Sequence, residues 1–240
     1  MYPPQPMPMQ MPPQSQFGVR DFITGIIFVL VGVAILIGFF ALPLFNPDQM
    51  RRNGANSTDA ESSASRIIQE TNKELGISSL SDITKSTLTI ERLAPYYALY
   101  TFIAIAVLYF LWALSAVLKA IFRGGKGVGF FSGVFRIIIT PIFYILLPLV
   151  VIVAFYAFAS GLYDITDVIS RPSSFRLDRV QEIINLIPPG LGMILMVGGS
   201  IFGAIVTILS TIIGMFTRSR PQVIMMGGQP AYGMPPQNPY

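Results

Sequence analysis

The chain has 240 residues, of which 52% are hydrophobic and only 12% are charged, about half the charged fraction of a soluble domain. Cysteine and histidine are both missing, which excludes disulfides, Cys/His metal sites and imidazole acid–base catalysis. The net charge of +4 is concentrated near predicted membrane ends and therefore favours lipid headgroups over nucleic acid as a partner.

Four long runs without charge predict four membrane-spanning helices, because each run exceeds the ~20 residues that cross a bilayer. The runs are Phe22–Pro47, Leu93–Leu118, Ile137–Tyr163 and Ile183–Thr217. We expect an all-α integral membrane protein with four transmembrane helices and a small, mainly helical extracytoplasmic subdomain. The spans are placed at residues 20–45, 96–118, 137–163 and 190–217.

The two tails, residues 1–19 and 218–240, resemble each other in being rich in Pro and Met. This composition predicts polyproline II or disorder rather than a packed element. The alternative is that the tails are ordered by packing on neighbouring molecules.

The first loop, residues 46–95, is long enough for a small subdomain. Thr58 and Glu61 have the spacing of a capping box, which predicts a helix that continues to Gly76. The rest of the loop allows either helix or a short strand. Asn56 starts the N-x-[ST] pattern of an N-glycosylation site, although a plain turn explains the same residues equally well.

The middle loop, residues 119–136, is glycine-rich and basic. It lacks the spacing of a phosphate-binding loop. One interpretation is that Arg123, Lys126 and Arg136 bind lipid headgroups. The interpretation we favour here is a short flexible turn carrying the basic residues usual on the inner side of a membrane.

Span 3 carries Pro141 and Pro148, which are expected to bend it, either as a hinge or as a static kink. In the next loop, residues 164–189, Ser173 or Ser174 is expected to cap an amphipathic helix. The sequence Pro-Pro-Gly at 188–190 should end that helix before the last span.

Span 4 contains small residues at every fourth position: Gly199, Gly203, Thr207 and Thr211. Such a row lets two helix backbones approach closely in lipid. It predicts either association between copies of the chain or packing against span 1 within one chain. Leucine at Gly199 or Gly203 should weaken association, whereas enlarging Ala204 should be better tolerated.

Basic residues set the expected orientation. The tails and the middle loop hold seven basic residues and one acid, whereas the other two loops hold nine basic and eleven acidic residues. By the positive-inside rule we expect both termini to be cytoplasmic. The expected location of the protein is the cell membrane. Aromatic residues such as Phe155 and Tyr156 then fall at the outer interface. An impermeant thiol reagent should reach cysteines introduced at Ser62, Ser81 and Ser173, but not at Ser132.

The charge-free runs disfavour ion-coupled transport, which needs ionisable groups in the membrane. Carboxylate pairs occur only in the loops, at spacings typical of solvated helix faces. We therefore expect a non-enzymatic scaffold or accessory subunit that needs no cofactor. Its expected partners are membrane lipids and either copies of itself or other membrane proteins, and not nucleic acid. The alternative is a homo-oligomeric pore.

The order of loops is similar to that of claudins and connexins, which also place the larger outer loop first and both ends inside. Those families depend on cysteines in the outer loops. This chain has none, and its single tryptophan, Trp112, lies inside span 2. No residue role is carried over from either family.

Overall fold

The computed structural model describes residues 18–54, 56, 61–83, 87–122 and 130–216. Regular structure in these residues is helical, without a strand and with two isolated β-bridges. Four helices of this part of the chain are long and apolar enough to cross a membrane: Val19–Phe40, Glu91–Ile121, Phe131–Ala159 and Leu191–Phe216, here called spans 1 to 4. The prediction of an all-helical chain with four apolar spans is confirmed.

The α-helices of the described residues are α1 (Val19–Phe40), α2 (Pro47–Arg52), α3 (Ala64–Glu74), α4 (Leu80–Ile83), α5 (Thr87–Ala98), α6 (Tyr100–Phe122), α7 (Phe130–Pro141), α8 (Leu147–Ala159), α9 (Ile165–Ser170), α10 (Leu177–Leu186) and α11 (Leu191–Phe216). Span 1 is α1, and span 4 is α11. Span 2 joins the end of α5 to α6. Span 3 joins α7 to α8 through a π-helical segment, Ile142–Leu146.

Span 1 lies between spans 2 and 4 and packs along both. It approaches span 4 closely at Gly38, where a Cβ would lie 2.6 Å from the carbonyl oxygen of Gly192. Only residues without a side chain allow two backbones to come this close. Gly25 and Gly32 instead face span 2, so the glycines of span 1 do not form a single face toward span 4.

Span 3 is not a continuous α-helix. Pro141 and Pro148 flank the π segment, in which Leu147 donates its backbone N–H to Ile142, five residues earlier. A proline has no N–H and leaves the carbonyl four residues before it without its α-helical donor. The two prolines therefore coincide with a change in helix type, where the sequence predicted a bend.

Loop 1 departs from the prediction at the start of its helix. α3 begins at Ala64, beyond the expected capping box, of which Thr58 lies outside the described residues. The carboxylate of Glu61 pairs with Arg51 instead. Residues 88–90, for which the sequence allows helix or strand, lie inside α5.

A surface turn follows α3. Ser78 and Ser79 donate hydrogen bonds to the carboxylate of Asp82, with the Ser78 hydroxyl and the Ser79 amide each 3.0 Å from it. These donors, the Ser78 hydroxyl first, stabilise the charged form and lower the pKa of Asp82 to about 2.

Loop 3 also differs from the prediction in its capping. Ser173 and Ser174 belong to a 3-10 turn, and α10 starts only at Leu177, without a side-chain cap. The additional helix α9 precedes this turn, and Asp164 caps it by accepting from the amide of Thr166 at 2.8 Å. The Pro-Pro-Gly sequence separates α10 from α11, as predicted.

Both loops are bonded to the same end of the bundle, here called the loop end; the opposite end is the tail end. The amide of Asn46 donates to the carbonyl of Pro188 at 2.9 Å, and that of Gly190 donates to Leu44 at 2.8 Å. The hydroxyl of Tyr156 donates to Ile187 at 2.9 Å. The loops are thus continuous with the fold of the spans.

The apolar faces of the two amphipathic loop helices pack on the spans. α3 packs on α1 and α5 through Ala64 and Ile68, and α10 packs on α8 through Val180. Phe155 and Tyr156, expected at the outer interface, are buried in the same core. Ser62 is only 2% exposed, so the expectation that a cysteine there is accessible is wrong.

Candidate functional site

The four spans meet in a group of aromatic and polar side chains, here called the central cluster. It consists of Phe28, Tyr109, Trp112, Arg136, Tyr144 and Ser200. The ring centroids of Tyr109 and Tyr144 are 4.7 Å apart, and those of Trp112 and Tyr144 are 5.1 Å apart. Aromatic pairs at such distances contribute about 0.5–1.5 kcal/mol each beyond their buried area.

Tyr109 is the bulkiest fully buried side chain of the bundle. Its ring lies against Gly203 of span 4, where an added Cβ would overlap the phenol. Its hydroxyl donates to the backbone carbonyl of Ser200 at 2.8 Å. A tyrosine buried in an apolar interior needs such an acceptor, so Gly203 and Ser200 together hold the ring of span 2 against span 4.

Ser200 makes a second link, to span 3. Its hydroxyl donates to the carbonyl of Tyr144 at 2.7 Å, and the bond is buried. In an α-helix the donor to this carbonyl is the N–H of residue 148, but that residue is Pro148. The serine of span 4 therefore supplies the hydrogen bond that the proline of span 3 withholds, a common remedy in membrane helices.

Arg136 lies within the described helix of span 3, six residues after Phe130, although the sequence placed it in the middle loop. Its guanidinium carbon is 4.4 Å from the ring centroid of Trp112, in the geometry of a cation–π contact. Its Nε is buried and has no hydrogen-bond partner among the residues that the structure describes. The assignment of Arg136 to the middle loop is wrong, because the residue lies in the helix Phe130–Pro141. A charge is tolerated there because the long side chain carries it to an aromatic ring within the span.

The small residues of span 4 face the interior of one chain. Gly199 packs on Ile35 of span 1. Thr207 and Thr211 are buried, and their hydroxyls donate to the carbonyls four residues earlier in their own helix, at 2.8 and 2.7 Å. Of the two alternatives for this row, the geometry matches packing within the chain.

Ala204, where a larger side chain is expected to be tolerated better than at Gly203, is also fully buried, and the comparison between the two positions remains a prediction. Among the other proposed sites, Arg123 and Lys126 lie outside the described residues. Asn56 is described and exposed, and its use as a glycosylation site remains a prediction.

The chemistry that the central cluster supports is structural. The hydroxyls of Tyr109 and Ser200 both donate to backbone carbonyls, which ties three spans together. Within the described part of the chain, no group of three or more Asp and Glu residues is arranged to hold a metal ion.

The sequence contains a trace of the cluster that the prediction missed. Ser200 lies one helical turn before Gly203, and Tyr144 precedes Pro148 by one turn. A polar residue beside a small one in a span often marks a contact with another helix. The partners are not encoded locally, because they depend on how the spans are rotated against one another.

Compared with known protein families, with curated proteins and with solved structures, the chain matches none of them. Its function must therefore be inferred from its own geometry.

Proposed function

We propose that the chain is a non-enzymatic, four-span membrane protein that serves as an oligomerising scaffold or as an accessory subunit of a membrane assembly. We further propose that it resides in the cell membrane with both termini in the cytoplasm, on the basis of the seven-to-one excess of basic residues in the tails and middle loop.

The observation that carries this proposal is the filled centre of the bundle. Tyr109, Phe28 and Ser200 are each at most 1% exposed, at the level where a passage through a single chain would run. The hydroxyls there are used to join spans. A bundle built in this way is suited to holding a fixed shape for partners.

The loop end supports the same proposal. Backbone hydrogen bonds join residues 43–46 to residues 188–192, and Asn53 donates through its side-chain amide to Leu186 at 3.0 Å. Loops fastened in this way cost less entropy on binding than flexible ones. They therefore present a preformed surface.

The test is the size and composition of the complex recovered when the tagged chain is extracted from its own membrane in a mild detergent. We expect assemblies larger than the monomer, with other membrane proteins present or with a defined number of copies. Quantitative mass spectrometry would identify their components. A monomer under several mild extraction conditions would refute the proposal. A closed ring of copies around a water-filled hole would favour the pore instead.

The pore alternative has its own measurement. Because the centre of one bundle is filled, a passage would have to lie between chains. If the chain is a scaffold, vesicles that contain the purified protein should retain entrapped small dyes and ions as well as protein-free vesicles do. Release that rises with a high power of the protein-to-lipid ratio would overturn the scaffold assignment.

A further inference from the structure

Spans 2 and 3 are held together unevenly along their length. At the loop end α5 packs on α8, and in the middle Tyr109 contacts Tyr144. Toward the tail end, α6 and α7 make little backbone contact with each other among the described residues, whereas α7 packs on α11. Between α6 and α7 lie the ring of Trp112 and the guanidinium of Arg136. This region is here called the 2–3 cleft.

The charge in the 2–3 cleft is only partly balanced by the protein. Asp21 of span 1 interacts electrostatically with Arg136, but it also pairs with Arg20, whose Nη2 lies 3.2 Å from its carboxylate. One acid thus serves two arginines. In addition, the Nε of Arg136 is buried without an acceptor in the described part of the chain, and leaving a charged donor unpaired is costly. The cleft therefore suits a further anion.

The depth of Arg136 indicates where that anion comes from. The residue lies nine positions from the middle of span 3, taken as Phe131–Ala159, which is about 13 Å at 1.5 Å per residue. The hydrocarbon core extends about 15 Å from its midplane. Side chains point toward the N-terminus of their helix, which in span 3 is the tail end. The guanidinium therefore lies close to the level of lipid phosphates.

We propose that the 2–3 cleft binds the phosphate group of an anionic phospholipid. Arg136 donates hydrogen bonds to the phosphate oxygens, and the face of Trp112 holds the guanidinium in place. Exposed apolar side chains on both helices, including Leu114 and Phe135, are suited to the acyl chains of the same lipid. This second feature favours a lipid over a free phosphate ion.

The single tryptophan of the chain makes a direct test possible. The full-length protein is reconstituted in phosphatidylcholine vesicles, and bromine is placed on the acyl chains of either phosphatidylglycerol or phosphatidylcholine at equal mole fraction. Bromine quenches tryptophan fluorescence only at short range. We expect phosphatidylglycerol to displace phosphatidylcholine from Trp112 with a relative binding constant of about ten, as one charge-assisted hydrogen bond implies.

Matched variants assign the preference to the cleft. Arg136→Gln should reduce the relative constant to about one, while Arg136→Lys, which keeps the charge but not the planar group, should retain part of it. Lys119→Gln removes the same charge from an exposed side chain of α6 and should leave the preference unchanged. An unaltered helical circular dichroism spectrum and an unaltered elution volume show that each variant is folded.

Three results would overturn the proposal. They are equal quenching by both lipids in the wild type, a preference that persists in Arg136→Gln, and a preference that Lys119→Gln removes as well. Equal quenching by both lipids, together with a change in Trp112 fluorescence on adding soluble glycerol phosphate, would mean that the cleft binds free phosphate and not a lipid. If Arg136→Gln does not reconstitute, the wild type and Arg136→Lys decide the question by the same measurement.

Discussion

The bond from the Ser200 hydroxyl to the Tyr144 carbonyl should have a measurable effect on stability. Ser200→Ala removes a buried donor at 2.7 Å and leaves the Tyr144 carbonyl without its α-helical N–H donor, because residue 148 is a proline. Such a loss costs about 1–3 kcal/mol in proteins generally. Hydrogen bonds between membrane helices average about 0.6 and reach about 1.7 kcal/mol. We expect a decrease of about 1 kcal/mol in the free energy of unfolding.

A serine in the same helix provides the control. The Ser210 hydroxyl donates at 3.1 Å to the carbonyl of Thr207, which also accepts from Thr211 at 2.7 Å. Ser210→Ala therefore leaves that carbonyl with a partner. It should cost no more than a few tenths of a kcal/mol, as for an alteration outside any buried network.

A double-mutant cycle with Pro148→Ala tests the reason for the bond. Alanine restores the N–H of residue 148, which can then donate to the Tyr144 carbonyl as in a regular α-helix. In that background Ser200→Ala should cost about 0.5–1 kcal/mol less, a coupling of the size seen for residues in one network. Unfolding free energies measured in bicelles would supply all four corners. Equal costs of Ser200→Ala in both backgrounds would refute the argument that the serine compensates for the proline.

Three other predictions follow from separate parts of the fold. Gly203→Ala should destabilise the protein by about 1–3 kcal/mol through overpacking. Gly198→Ala, with no atom within 4 Å of its added Cβ, should be neutral or stabilising by up to about 1 kcal/mol. Equal losses of stability in thermal unfolding would contradict this. A cysteine at the exposed Ser173 should react in intact cells and one at Ser132 should not, and the reverse pattern would overturn the proposed orientation. Asp82 should titrate near pH 2 by NMR, so its contribution is present above pH 3.8 and lost as the pH falls through about 2; a midpoint near 4 would show that its turn does not form.

The spans were predictable because burial in lipid needs only length and the absence of charge. The break after α10 was predictable because Pro and Gly act through their own backbone. Caps proved less certain. Ser173 and Ser174 have side chains that can cap a helix, yet they lie in a 3-10 turn. A local capping hydrogen bond is weak, and the position at which the loop joins the bundle decides where the helix begins.

The position of Arg136 shows why charge alone sets span boundaries poorly. A scan for uncharged runs places the first residue of span 3 at Ile137, directly after the arginine. The helix in fact continues outward to Phe130. An arginine is tolerated there because its guanidinium reaches Trp112 of another span, and that partner is distant in sequence. Boundaries drawn from charge therefore fail where an aromatic face and a membrane surface are both within reach of one side chain.

The small residues of span 4 also depend on partners that are distant in sequence, so they are poor positions at which to test self-association. A row of small residues signals close approach by something large, and in this chain the large group at Gly203 is Tyr109 of span 2. Substitutions in that row therefore test the fold of one chain before they test any oligomer. If copies of the chain associate as proposed, their contacts must use surfaces that the single bundle leaves exposed, such as the outward stripe of span 4 that contains Phe202 and Leu209. A charged substitution in this stripe is not a useful test, because a charge that faces lipid impairs membrane insertion. A polar but uncharged substitution, such as Phe202→Ser, should alter assembly only if the stripe is a contact between chains.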